Sequence, residues 1–190
     1  MIIGLTGGSG TGKSTACEYF RNKGFIIVDS DKIARQVCAK GEKCLEEIVE
    51  AFGNDILDED GNLKRKTLGN IVFSNKKKLD ILNKITHKHI VLKNMEIIRL
   101  NPSSDIVLDA PLLFEAGLGG VCTKTVCVLS DTEKRIERIM ARDGISKESA
   151  LARIKSQPAD SFYISLCDYV IYNNSNVADL INQLENIFGG

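Results

Sequence analysis

The sequence predicts an α/β protein built on a parallel sheet, and three observations carry that expectation. Short apolar runs bounded by Gly, Asp or Asn recur along the chain, helical patterns alternate with them, and a glycine-rich turn sits where the first run hands over to the first helix. The runs cover residues 2–6, 25–29, 106–109, 125–129 and 169–172 and are apolar almost throughout. Strands covered on both faces have that composition, so five of them imply a five-stranded parallel sheet. Helical periodicity covers 13–23, 31–40, 43–52, 76–99, 131–142, 147–155 and 177–187, placing helices on both faces of the sheet. The stretch 31–101 is too long for one crossover helix and predicts a helical insertion between the second and third strands. Residues 131–160 read as a lid.

At 190 residues the chain fits a single domain with room for a sizeable core. Apolar residues make up 43% and charged residues 26%, which excludes a disordered chain. Lys plus Arg equals Asp plus Glu at 25 each, so no net positive field points to nucleic acid and no polybasic run points to a membrane surface. No obligate protein partner is evident. Cysteines at 17, 38, 44, 122, 127 and 167 show no C-x-x-C pair and read as buried free thiols in a reducing, cytoplasmic setting.

Residues Gly7-Gly-Ser-Gly-Thr-Gly-Lys-Ser14 fit G-x-x-x-x-G-K-[ST] between a predicted strand and a predicted helix, the context in which this pattern makes a P-loop. The glycines let backbone N–H groups face phosphate oxygens, and the positive end of the following helix adds to the anion site. Gly10, Thr11, Gly12, Lys13, Ser14 and Thr15 are therefore the expected triphosphate ligands of ATP. Lys13 can reach the β- and γ-phosphates, and the Ser14 hydroxyl can ligate Mg²⁺. A dinucleotide-binding loop fails because the third glycine it needs is Lys13. The expected architecture is thus a P-loop NTPase-type three-layer sandwich with a helical substrate-binding insertion and a lid.

Asp29 and Asp31 follow the second strand at the carboxyl edge of the sheet, where open α/β sheets hold their ligands. One can cap the next helix while the other takes a proton from an acceptor hydroxyl, and Asp31 is assigned the base role. Asp109 ends the run Ile106-Val-Leu-Asp, the usual place of a second carboxylate holding a Mg²⁺-bound water. Arg135, Arg138 and Arg142 recur at helical spacing on one face, with Ile136, Ile139 and Met140 on the other. They read either as a solvated face or as lid cations that neutralise charge on a transferred phosphoryl group, with Arg142-Asp-Gly144 as a hinge. His87 and His89, two apart on a helix, share no face and do not form a metal pair.

Taken in order, Gly4-Leu-Thr-Gly-Gly-Ser-Gly-Thr-Gly-Lys-Ser-Thr15, Asp29-Ser-Asp-Lys-Ile-Ala-Arg35, Leu82-Asn-Lys-Ile-Thr-His87, Pro111-Leu-Leu-Phe-Glu115, Arg142-Asp-Gly144, Arg153-Ile-Lys-Ser-Gln157 and Asp168-Tyr-Val-Ile-Tyr-Asn-Asn174 resemble the dephospho-coenzyme A kinase family over nearly the whole chain. The resemblance implies phosphorylation of the ribose 3′-hydroxyl of dephospho-CoA by ATP, the last step of coenzyme A synthesis. It implies Asp31 as base, and Thr6, Arg35, His87, Leu112 and Leu113 around the acceptor. Arg138 and Arg142 would come from the lid, and Asn173 would lie near the adenine of ATP. The chain departs from the family pattern at Lys88, where Pro is common, and at Arg135, where Gln is common. After Gln157, Pro-Ala-Asp-Ser-Phe replaces the usual charged helix and suggests an irregular link. The competing readings are another small-molecule kinase with a nucleoside, nucleotide or shikimate-like acceptor, and a nucleotide-dependent switch. The second lacks a guanine-reading Asn-Lys-x-Asp segment, since Asn83-Lys-Ile-Thr86 has no Asp.

Overall fold

Five strands form one sheet in the order β2-β3-β1-β4-β5: β1 Ile2–Thr6, β2 Ile26–Asp29, β3 Ile106–Asp109, β4 Lys124–Leu129 and β5 Tyr169–Tyr172. The structure, a computed structural model, describes residues 1–189. β1 pairs in parallel with β3 on one side (Leu5 opposite Asp109) and with β4 on the other (Thr6 opposite Cys127), and β4 pairs in parallel with β5. The sheet is parallel throughout. With β1 at the centre, its carboxyl end opens where the connections diverge, the position at which such sheets bind ligands.

Alternation along the strands sends Ile3, Leu5, Val107, Val126, Val128 and Ile171 to one face, where they pack with Ala16, Cys17, Tyr19 and Phe20 of α1 (Lys13–Asn22) and Leu180 and Leu184 of α9 (Val177–Phe188). Phe20 is fully buried and meets Phe25 and Phe188 at 5.2 Å between ring centres. Cys127 and Leu129 face the other way, against Tyr163 of α8 (Asp160–Leu166). Helices therefore cover both faces. The helix α8 corrects the irregular link expected after Gln157: Pro158 ends one helical stretch, and burial of Tyr163 on the sheet outweighs the absence of a side-chain cap at Ala159. Between β4 and α8 lie α6 (Thr132–Asp143) and α7 (Lys147–Lys155), joined at Gly144, whose φ of 66° makes a left-handed helix end.

The described residues divide into two compact units, Met1–Val28 with the chain from Ser103 onward, and Asp29–Pro102. The second unit is helical: α2 (Ser30–Val37), α3 (Lys43–Phe52) and α4 (Arg65–Phe73) all lie along the long α5 (Lys76–Leu100). α2 stops at Val37, three residues short of the expected 40, and the chain turns at Gly41 with a φ of 87°. α4 was not expected. Its N-cap residue, Lys64, makes no side-chain bond and its interior carries Gly69, so it holds its shape by burying Leu68 and Val72.

All six cysteines are free thiols, with Cys17, Cys38, Cys44 and Cys127 buried. Among the described residues, no helix is long and apolar enough to cross a membrane.

Candidate active site

The loop from Gly7 to Gly12 carries the chain from the end of β1 into α1. Three of its glycines, Gly7, Gly10 and Gly12, sit at positive φ with no room for a Cβ. At Gly7 (φ 136°) a Cβ would lie 2.3 Å from the Val128 carbonyl oxygen, and at Gly12 (φ 101°) 2.1 Å from Asn173 Nδ2. Gly12 caps α1 without a side-chain bond and the first turn holds no acidic residue, so the N–H groups there are open to an anion. Ser14 is exposed at this end, while Lys13 places its Nζ 3.9 Å from Asp109 Oδ1 at the end of the neighbouring strand. The sequence expected Lys13, Ser14 and Asp109 at one site, and the fold brings them together in the first unit. The Cys17 thiol lies against Asp109, and burial followed by that carboxylate pushes it up to about 12, so it stays protonated.

The loop's carbonyls, which glycine-rich turns leave short of partners, are taken by side chains from far along the chain. Thr11 is buried and donates to the Gly8 carbonyl (2.9 Å), and Asn173 Nδ2 donates to the Thr11 carbonyl (2.8 Å). Arg138 Nη1 donates to the Gly10 carbonyl (3.1 Å), to Ser130 Oγ (3.0 Å) and at 3.4 Å to the Thr11 carbonyl, while its Nη2 donates to the Asn173 carbonyl (3.0 Å). Asn173 and Arg138, expected near the adenine and on a lid, both hydrogen-bond the loop's backbone here. Arg135 is 5% exposed, which corrects the reading of its helix face as solvated; burial lowers its pKa, and it bonds the Ser9 carbonyl and Gln157 Oε1, both at 2.9 Å. Gln157 closes the set through Ser9. The sequence marks Gln157 only as the end of the Arg153-Ile-Lys-Ser-Gln157 block and gives it no role.

Arg142, by contrast, is exposed and pairs with Asp143, which also accepts from Arg153. Those two guanidinium groups, Arg142 first, hold the Asp143 carboxyl well below the usual carboxylate range. This clasp fixes the α6–α7 joint at Gly144.

Thr6 and Leu113 are fully buried, Thr6 donating to the Pro111 carbonyl (3.3 Å) and Leu113 filling the space beneath Gly4. They hold the wall from behind. Leu112, half exposed, and Glu115 are the exposed members of the Pro111-Leu-Leu-Phe-Glu115 block.

In the helical unit, Asp29 caps α2 by accepting from the Lys32 N–H (3.0 Å). Asp31 follows in the first turn, exposed, and Arg35 one turn later, also exposed. The pair of acidic residues is therefore divided between a cap and an available carboxylate. His87 lies on α5, half-buried. His89 Nε2 bonds Glu47 Oε1 (3.0 Å), which also accepts from Lys88 (2.9 Å), so this histidine ties α5 to α3. Among the described residues, no group of three or more His, Cys, Asp or Glu side chains could hold a metal ion by itself.

The chain resembles known proteins along its whole length. The dephospho-CoA kinase family model matches residues 1–179. A dephospho-CoA kinase of Fusobacterium nucleatum is 45% identical over 97% of this chain and 95% of its own. The crystal structure of TT1252 from Thermus thermophilus superposes with a TM-score of 0.85 at 31% identity, covering 100% of this chain and 96% of that one. The dephospho-CoA kinase of Campylobacter jejuni does so with a TM-score of 0.72 at 29% identity, covering 99% and 95%. A family match over residues 1–179, with a relative 45% identical over nearly the whole of both chains, means that the chain belongs to the dephospho-CoA kinase family.

Proposed function

We propose that this protein transfers the γ-phosphate of ATP to the ribose 3′-hydroxyl of dephospho-CoA, completing coenzyme A. The observation that carries the reading is the phosphate loop with Lys13 beside Asp109, in a chain of this family. Phosphoryl transfer asks the protein for position and countercharge more than for covalent chemistry. Gly10 to Thr15 would hold the triphosphate through backbone N–H groups, Lys13 adding a point charge on the β- and γ-oxygens. Asp31, exposed and not used as the cap, would take the proton of the attacking hydroxyl. Arg35 and His87, on the neighbouring helices α2 and α5, would meet the acceptor's anionic groups, with Leu112 as an apolar contact. Arg138 would act on the nucleotide through the loop it braces, and Arg142, exposed at the end of α6 and paired there with Asp143, would be the lid's charge for the transferred phosphoryl group.

Ser14 and Asp109 suit Mg²⁺, which takes one or two protein oxygens and completes its shell with water and substrate phosphate. When bound, the ion neutralises charge across the β- and γ-phosphates. Six free thiols suit a reducing cytoplasm.

The test is incubation with Mg-ATP and dephospho-CoA followed by mass measurement of the acceptor. One added phosphate supports the proposal. Phosphorylation of a nucleoside or shikimate-like alcohol with dephospho-CoA untouched would replace it with another kinase activity.

A further inference from the structure

We propose that Arg135 and Gln157 form a bracket that holds the first half of the phosphate loop in its ATP-binding shape, making both of them positioning residues for nucleotide binding. The inference rests on the reading of the loop as an ATP site. Its centre is Ser9, whose polar groups are all engaged by these two side chains. The Ser9 N–H donates to Gln157 Oε1 (2.9 Å), its carbonyl accepts from Arg135 Nε (2.9 Å), and its hydroxyl accepts from Gln157 Nε2 (3.1 Å). Arg135 Nη2 then donates to the same Gln157 Oε1 (2.9 Å), so the two clamping side chains also fix each other.

The backbone on either side is pressed onto Arg135, Gly8 against its guanidinium and Gly10 against its main chain. A Cβ at Gly8 would lie 2.3 Å from Arg135 Nη2, and one at Gly10 would lie 2.7 Å from the Arg135 carbonyl oxygen. Asp160 Oδ1, 3.7 Å from Arg135 Nη1, supplies a countercharge from the side away from the loop. The Ser9 N–H, turned toward Gln157, is not offered to phosphate, so the anion nest falls to Gly10 and the residues after it.

Four glycines in six positions give this loop wide conformational freedom. Affinity for ATP falls in proportion to the fraction of molecules whose loop is in the binding shape. Arg135 comes from α6 and Gln157 from just beyond α7, so two elements distant in sequence set that fraction.

ATP binding and steady-state kinetics of Gln157→Ala, Ser9→Ala and the double variant test the bracket. Gln157→Ala is expected to raise the Kd and KM for ATP about 3- to 10-fold, leaving the KM for dephospho-CoA and kcat at saturating ATP within about twofold. Ser9→Ala removes one bond and should cost about twofold, and the double variant should be no worse than Gln157→Ala, because the lost contacts are shared. Arg135→Lys, which keeps the charge and loses the fork, should shift ATP affinity the same way and serves if Gln157→Ala does not fold. A Gln157→Ala protein that melts lower yet binds ATP like wild type overturns the bracket and leaves Gln157 a support for α7. A parallel rise in both KM values overturns it as well. Wild type that binds no ATP overturns the reading of the loop itself, and the bracket with it.

Discussion

Arg138→Met removes a guanidinium while keeping most of the aliphatic stem, and the structure fixes what should follow. Nη1 has two hydrogens for three acceptors, the Gly10 and Thr11 carbonyls and Ser130 Oγ, and Nη2 serves the Asn173 carbonyl. At most three good bonds are therefore lost. Bonds from a charged donor can each contribute about 1.5–3 kcal/mol, but Arg138 is half-buried and water can replace part of it, so about 1 kcal/mol per bond is the fair figure. The sum is about 3 kcal/mol. For a chain of this size each kcal/mol moves the melting point by about 2–4 °C, which gives a fall of about 6–12 °C.

Scanning calorimetry without ligand measures that fall, and Arg142→Ala is the control. Arg142 is paired only at the surface, where ion pairs contribute about 0–1 kcal/mol, so its melting point should stay within about 3 °C of wild type. ATP should still bind Arg138→Met, more weakly, because the loop has lost its brace and not its donors. If Arg138→Met melts within about 2 °C of wild type while turnover collapses, the side chain leaves the loop carbonyls during the reaction, and the bracing argument is wrong.

Lys13→Ala should lower turnover about 100- to 1,000-fold, since a charge contact to the transferring phosphoryl group is lost; near-normal steady-state rates would take the loop out of the mechanism. Asp31→Asn should cut turnover about 100-fold or more with the KM for ATP within about twofold, whereas equal loss of both would make Asp31 structural or a metal ligand. The Asp143 carboxyl, held low by Arg142 and Arg153, has a folded pKa below its unfolded one. What it contributes to stability is then fully present above the ordinary carboxylate range and lost only as pH falls through the lower folded value. An NMR titration of its carboxyl carbon should show a midpoint well below about 3.9, and a normal midpoint would mean that the clasp on the α6–α7 joint is open in solution.

Strand positions were legible because a strand buried on both faces writes itself as an apolar run. Ile2–Thr6, Ile106–Asp109 and Tyr169–Tyr172 begin and end where the runs do. The loop was legible because its demand for glycine is local. The helices α4 and α8 were not: the first carries Gly69 in its interior, the second is only 7 residues long and follows Pro158, and each is held by what it packs against. Asp29 and Asp31 were readable as a pair but not as individuals, because both fit a helix start; only the bond to the Lys32 N–H tells cap from carboxylate. Gln157 was readable only as the end of the Arg153–Gln157 block, and its contact with the loop was not, as its partner Ser9 lies 148 residues away.

The three arginines of α6 show most plainly where periodicity stops informing. At about 100° per residue, Arg142 lies only about 20° around the helix from Arg135, and Arg138 about 60° from it, so one face is the correct inference. Ile139, however, is only about 40° from Arg135 on the other side, which puts Arg135 on the seam between the charged and the apolar stripe. Its burial follows from that seam meeting the loop. Arg142 shares the angle but stands about 10 Å further along the axis, beyond the end of the loop, and so it reaches Asp143 and solvent. Angle comes from sequence spacing, while height relative to the loop comes from where β4 ends and α6 begins. That second coordinate separates a brace of the loop from a surface charge, and it makes the Arg138→Met and Arg142→Ala pair the sharper test of the site.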